Sequence, residues 1–238
     1  MNCQQHVTPL KGGIELKIRE LKSSAKSRLS GQWGLAIGGL LLFFAILIAD
    51  NLITNWISPS YELYISSVTM QIHINPMINY ILSWIILILS IYLITYPAYV
   101  GYEWYYLDLY DEKLGSTGAI FNGFKEYGIS VPFMFMKVLF ILLWSLLFVI
   151  PGIMKSYSYS MAVYILRDYP NMGVVHAISE SKRIMKGNKR RLFLLHLSFI
   201  GWFLIPIFGI FYGFPYIMTA NAAFYRDLVE KEDTSMSR

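Results

Sequence analysis

Residues 150–170 read IPGIMKSYSYSMAVYILRDYP, residues 171–191 read NMGVVHAISESKRIMKGNKRR, and residues 192–202 read LFLLHLSFIGW. An apolar segment follows a Pro-Gly pair, a basic amphipathic segment comes next, and a second apolar segment leaves it. This order predicts a membrane helix that runs into the cytoplasm, a helix at the membrane surface, and a helix that returns into the bilayer.

The rest of the chain is equally apolar. Of its 238 residues, 55% are hydrophobic, and the mean hydropathy is +0.47. Such a composition is typical of membrane proteins rather than of soluble domains. The formal charge of +5 therefore indicates contact with anionic lipid headgroups and argues against a nucleic-acid partner. Cys3 is the only cysteine, so the sequence offers no disulfide framework and no cysteine-based metal site.

Long apolar tracts set the predicted architecture, since one helix needs about 20 residues to cross the hydrocarbon. The tract 129–166 is too long for one crossing, and Pro151-Gly152 is the predicted turn that divides it. We therefore predict an all-α, polytopic membrane protein with six transmembrane helices that form three hairpins. The predicted spans are 33–57, 77–101, 129–150, 153–167, 192–208 and 214–228.

Lysine and arginine set the predicted orientation, because they concentrate in cytoplasmic loops. The predicted cytoplasmic segments hold 18 of the 20 basic residues. These segments are 1–32, 102–128, 167–191 and 226–238. The predicted outer segments, 50–76 and 209–214, hold none. Both termini are therefore expected in the cytoplasm, with 1–32 a basic amphipathic segment, 33–228 one membrane domain, and 229–238 a charged tail.

A short amphipathic segment precedes each predicted hairpin. The first spans 14–30, the second is GAIFNGFKEYG at 118–128, and the third lies in 171–187. Each is predicted to stop at a glycine, namely Gly31, Gly128 or Gly187. The order of segments repeats three times, and such internal repeats are frequent in membrane proteins that enclose a central site.

Several of these stretches resemble one family. IPGI (150–153), ESKRIMKGNKRRLF (180–193) and PYIMTANAAFY (215–225) occur in order. Together they make the chain similar to the bacterial integral-membrane family called domain of unknown function 975. The resemblance implies a multi-pass protein of the bacterial inner membrane. It supplies no catalytic residues.

Two sets of charged residues are candidate sites. The six basic residues Lys182, Arg183, Lys186, Lys189, Arg190 and Arg191 are predicted either to bind anionic headgroups or to serve orientation alone. Lys137 lies inside predicted span three, so we expect it to pair with Glu103 or to extend toward the inner headgroups.

The sequence otherwise lacks recognisable chemistry. The four histidines form no metal-ligand pair, and no nucleophile or phosphate-binding motif is present. We therefore predict no enzymatic activity, no cofactor and no metal. The preferred function is a non-catalytic membrane scaffold or an envelope-associated accessory or immunity factor, with membrane lipids and another membrane protein as partners. The alternative is a small transporter or lipid-handling protein with a site between the hairpins.

Overall fold

The computed structural model describes residues 18–57, 76–204 and 209–236, and every regular element in those ranges is helical. This confirms the predicted all-α class. Three helices there are long and apolar enough to cross a membrane: Trp33–Ile57, Tyr80–Tyr110 and Tyr127–Leu147. The predicted outer loop and the start of the first amphipathic segment lie outside the described residues.

We number the α-helices in chain order. They are α1 (Ile18–Leu29), α2 (Trp33–Ile57), α3 (Pro76–Ser90), α4 (Tyr96–Tyr110), α5 (Asn122–Lys125), α6 (Tyr127–Leu147), α7 (Val149–Ser158), α8 (Ala162–Asp168), α9 (Val174–Ile184), α10 (Lys189–Leu197) and α11 (Phe214–Met236). Single turns of 3₁₀-helix or π-helix lie at Ile91–Thr95, Thr117–Phe121, Pro170–Met172, Ile200–Leu204 and Gly209–Gly213.

Helix α4 is the centre of the fold. The π-helical turn Ile91–Thr95 joins α3 to α4, so one helix runs from Pro76 to Tyr110, about nine residues beyond the predicted end near residue 101. From Val100 to Tyr110 every residue is buried, because α4 packs against α1, α2, α5, α6, α8 and α11. Its tyrosines Tyr102, Tyr105, Tyr106 and Tyr110 belong to this protein core.

The break between α6 and α7 lies at Phe148, which is extended, and not at Pro151-Gly152, where a turn was predicted. Pro151 is the third residue of α7, where a helix leaves its backbone N–H groups unpaired and proline costs no hydrogen bond. Gly152 faces the end of α6, because a Cβ on it would lie 2.0 Å from Ser145 Oγ. The Pro-Gly pair therefore starts the second helix of the hairpin and lets it approach the first.

Each amphipathic segment packs on the end of a helix from the preceding repeat. Residues 117–125 cover α4, α9 covers α8, and α1 covers α11, so the series closes on itself. The apolar face of α1, formed by Leu21, Ala25 and Leu29, is fully buried. Helix α11 occupies this face, so α1 does not present it to the lipid interface.

The predicted glycine stops are correct in two of three repeats. Gly31 and Gly187 have φ of 84° and 87°, the left-handed conformation that ends many helices. Gly128 instead lies in the first turn of α6. At the other end of the chain, α11 extends to Met236, so the predicted tail is helical up to that residue.

Buried and exposed apolar residues separate along the helices. The core lies in α4, α8, α11 and the segments packed on them. The most apolar 18 consecutive residues of each candidate span are mostly exposed. Only 22% of them are buried in Trp33–Ile57, 11% in Tyr80–Tyr110 and 17% in Tyr127–Leu147. Phe148, at the tip of the second hairpin, is 73% exposed. An apolar surface of this extent on a helical protein is typical of contact with lipid.

Candidate functional site

The ends of α4 and α8 meet the middle of α11 in one group of ion pairs. Arg167 on α8 donates two hydrogen bonds to Asp108 on α4, from Nη2 at 2.7 Å and from Nε at 3.2 Å. Its guanidinium also lies over the ring of Trp104, 5.4 Å from the centroid. This paired, two-point geometry fixes α8 against α4 more precisely than a lysine would.

Arg226 on α11 completes the group. It pairs with Asp111 at the end of α4 and, at 2.5 Å, with Asp168 at the end of α8. Tyr225 also donates to Asp168, at 2.8 Å. The Arg226 side chain is only 16% exposed, so its guanidinium interacts with the two carboxylates largely away from solvent. Lys113 adds a second positive charge, 3.1 Å from Asp111. We call Asp108, Arg167, Asp111, Asp168 and Arg226 the ionic cluster.

The sequence contained a partial signal for the ionic cluster. The end of α8 reads YILRD and α11 contains FYRDL, so an Arg-Asp pair recurs at the ends of two helices predicted to run inward. Which arginine meets which aspartate depends on the register of three helices, and hydropathy does not determine it.

The six basic residues of the predicted lipid site divide into two kinds. Arg183 pairs with Glu180 at 2.5 Å and with Glu232 at 2.7 Å, and these hydrogen bonds raise the pKa of its guanidinium. Arg191 pairs with Asp227 at 2.6 Å, with both side chains nearly buried. These two arginines hold α9 and α10 to α11, so their charges are already compensated within the protein.

The other four residues keep their positive charge at the surface. Among the described residues, Lys182, Lys186, Lys189 and Arg190 have no carboxylate within 4 Å. Lys182, Lys186 and Arg190 are exposed and Lys189 is half-buried. We call these four residues the basic surface.

A fifth lysine adjoins the basic surface. Lys182 and Lys189 lie close enough to Lys155 on α7 for their charges to repel it, and Lys155 Nζ lies 4.0 Å from the centroid of the Trp144 ring. Trp144 is exposed, as are Leu143 next to it in the sequence and Ile153 two residues before Lys155. Cations therefore border an apolar surface, as the headgroup and acyl region of a lipid requires.

Lys137 and Glu103 are neighbours that do not form an ion pair within 4 Å in the described structure. Tyr99 lies between them: its hydroxyl donates to Glu103 at 2.9 Å, and its ring lies 5.5 Å from Lys137 Nζ. Tyr164 on α8 donates a second hydrogen bond to Glu103, at 2.5 Å. The sequence had not indicated Tyr164 as a partner, because it lies 61 residues from Glu103.

Large aromatic side chains fill the space between α4, α8 and α11. Trp104 donates to the carbonyl of Val163 at 2.7 Å, and Tyr164 stacks on Tyr225 with centroids 5.4 Å apart. All three rings are at most 2% exposed. The space between these three helices is therefore a packed aromatic core. A shallow cleft of about 520 Å³ lies elsewhere, beside Asp168, Asn171 and His176.

Metal-type ligands are dispersed. No group of three or more His, Cys, Asp or Glu side chains suited to a metal lies in 18–57, 76–204 or 209–236. His196 contacts Asn221 Oδ1 at 2.8 Å and the Tyr157 hydroxyl at 3.4 Å. This histidine thus links α10 to α11 and α7.

The family model described as "Protein of unknown function (DUF975)" matches residues 116–232. Over this stretch, which is 117 of the 238 residues, the chain is similar to the DUF975 family. The DUF975 match begins just before the second amphipathic segment and includes α6 to α11, the basic surface and Arg226. The resemblance found in the sequence is thereby confirmed. No curated protein and no solved structure matches the chain.

Proposed function

We propose that this protein is a non-catalytic, multi-pass protein of a bacterial inner membrane, with both termini in the cytoplasm. Its three hairpins enter the bilayer from the cytoplasmic side and provide six crossings. The exposed apolar surface of α2, α3 and α6 supports this arrangement. So does the ionic cluster, because it requires the ends of α4 and α8 and the middle of α11, at Arg226, to lie on one side of the membrane.

The basic surface is the observation that carries the function. These four residues lie at the cytoplasmic side in this arrangement. In the described part of the chain, no carboxylate lies within 4 Å of them. A basic residue near an anionic leaflet contributes about 1 kcal/mol, which salt screens within a Debye length. Four such residues hold anionic headgroups against the protein, and the protein acts as a lipid-binding scaffold or accessory factor for another membrane protein.

A scaffold is favoured over a transporter by the packed centre. A transporter with a site between the hairpins needs a polar cavity there, whereas Trp104, Tyr164 and Tyr225 fill that space. The alternative, a small transporter or lipid-handling protein, is favoured by the threefold arrangement and by buried Glu103 beside Lys137. Neither candidate function involves catalysis, a cofactor or nucleic acid.

The test compares two double variants with equal charge change. Lys182→Gln/Lys186→Gln removes charges of the basic surface, while Arg28→Gln/Arg183→Gln removes charges already paired with Glu112, Glu180 and Glu232. Each protein is purified with its co-extracted lipids, and the bound anionic fraction is measured by mass spectrometry. We expect the first variant to lose anionic lipid and the second to retain it. Equal retention in both would refute lipid binding by the basic surface.

A further inference from the structure

One carboxylate lies in the last third of a candidate membrane span. Asp50 is the eighteenth residue of α2, about 25 Å from the start of that helix and about 10 Å from its end. It is 8% exposed. Ser90 Oγ lies 2.9 Å from each of its carboxylate oxygens, and Thr95 Oγ1 lies 3.3 Å from Oδ2.

Among the residues that the structure describes, none places a positive charge beside this carboxylate. Asp50 has no lysine, arginine or histidine within 4 Å in the described part of the chain. An ionised side chain within the hydrocarbon costs a few kcal/mol or more unless something neutralises it. Hydroxyl groups that donate hydrogen bonds to a carboxylate stabilise its negative charge but leave the net charge unchanged. A bound ligand with one positive charge would neutralise it.

The helix facing Asp50 is irregular at the same place. Ser90 and Thr95 border the π-helical turn Ile91–Thr95, which lies between α3 and α4. Such turns are rare, and many of those that exist lie at functional sites. In membrane proteins, interruptions of helical geometry also accompany sites for sodium ions and protons. The turn brings both hydroxyls to one carboxylate, although a regular helix would separate residues five apart.

We propose that Asp50, Ser90 and Thr95 bind a monovalent cation, specifically Na⁺. The four oxygens are of the carboxylate and hydroxyl type that hard cations prefer. A single carboxylate matches a single positive charge, whereas a divalent ion would leave an excess charge within the bilayer. The bound ion joins α2 to the long helix α3–α4. This site is independent of the basic surface and of the lipid function proposed for it.

The test measures thermal unfolding of the full chain in nanodiscs of uncharged lipid. NaCl replaces choline chloride at constant ionic strength, so that only a bound ion shifts the unfolding temperature. For the wild type we expect a saturable rise with Na⁺ and none with choline. Ser90→Ala and Thr95→Val should each raise the half-maximal Na⁺ concentration about tenfold or more. Thr54→Val is the matched control, because that hydroxyl bonds to the backbone carbonyl of Asp50 and not to its carboxylate.

A second readout makes the result independent of stability. A hydrophobic carbodiimide modifies protonated carboxyl groups within membranes, and peptide mass spectrometry measures the modified fraction of Asp50. We expect Na⁺ to suppress this modification strongly in the wild type and much less in Ser90→Ala. This readout does not depend on the stability of either protein. If Na⁺ changes neither the unfolding temperature nor the modification, Asp50 carries a proton or only hydrogen-bonds the two helices, and the proposal is wrong.

Discussion

Replacing Arg226 with methionine should be among the most damaging single changes in this protein. The variant keeps much of the side-chain volume but removes the charge between Asp111 and Asp168, which both accept hydrogen bonds from Arg226. Those two carboxylates are only 9% and 20% exposed. Removing one partner from a largely buried ion pair costs about 3–5 kcal/mol, mainly because a charge is left without compensation.

The expected size of the effect can be measured by thermal unfolding in detergent. For a chain of this length, 1 kcal/mol shifts the unfolding temperature by about 2–4 °C, so the loss should be roughly 6–20 °C. Arg183→Met is the matched control, because Arg183 also pairs with two carboxylates but is 59% exposed. Exposed pairs contribute about 1 kcal/mol or less.

A triple variant separates lost charge compensation from lost packing. Adding Asp111→Asn and Asp168→Asn to Arg226→Met removes the uncompensated charges, and it should recover a large part of the lost stability. If Arg226→Met and Arg183→Met lower the unfolding temperature equally, the ionic cluster does not hold α4, α8 and α11 together, and the reasoning fails.

Three further changes test the packing of the helices. Gly152→Ala should destabilise the packing of α7 on α6 by about 1–3 kcal/mol through crowding. Gly34→Ala should be tolerated, because no atom lies within 4 Å of the new Cβ. Chemical denaturation of both variants measures the difference. Tyr164→Phe should cost about 1–3 kcal/mol, because buried Glu103 loses a donor, and an equally stable variant would show that this hydrogen bond contributes nothing. The neighbouring arginine lowers the pKa of Glu180 from its usual 4.5, so this pair stabilises the fold above about pH 4.5 and loses its effect as the pH falls through the lowered pKa. In Glu180→Gln, the unfolding temperature should therefore fall less at acidic pH than in the wild type. The difference should correspond to about 1 kcal/mol or less, because the pair is exposed.

Periodicity and hydropathy predicted the elements that depend on local sequence. The spacing of Leu21, Ala25 and Leu29 gave the buried face of α1, and Gly31 and Gly187 gave two helix ends. The same signals could not locate the turn at Phe148. Proline and glycine occur both in turns and in the first turn of a helix, and only the packing of Gly152 on Ser145 distinguishes the two cases.

Contacts between distant residues were beyond these signals. Glu103 and Tyr164, or Asp50 and Ser90, meet because of the register between packed helices. Charge counting correctly identified a basic region, but it treated Arg183 and Arg191 like their neighbours. Their carboxylate partners, Glu232 and Asp227, lie in α11 and cannot be assigned from the local sequence.

The orientation of the hairpins is tested most directly by single cysteines in a Cys3→Ser background. Ser67→Cys lies in the predicted outer loop, and Asn188→Cys lies between α9 and α10, beside the basic surface. An impermeant thiol reagent is added to intact cells and, separately, to permeabilised cells. We predict that the cysteine at 67 reacts in intact cells and that the cysteine at 188 reacts only after permeabilisation. Reaction of both from outside, or the reverse pattern, would contradict the arrangement in which the basic surface faces the cytoplasm.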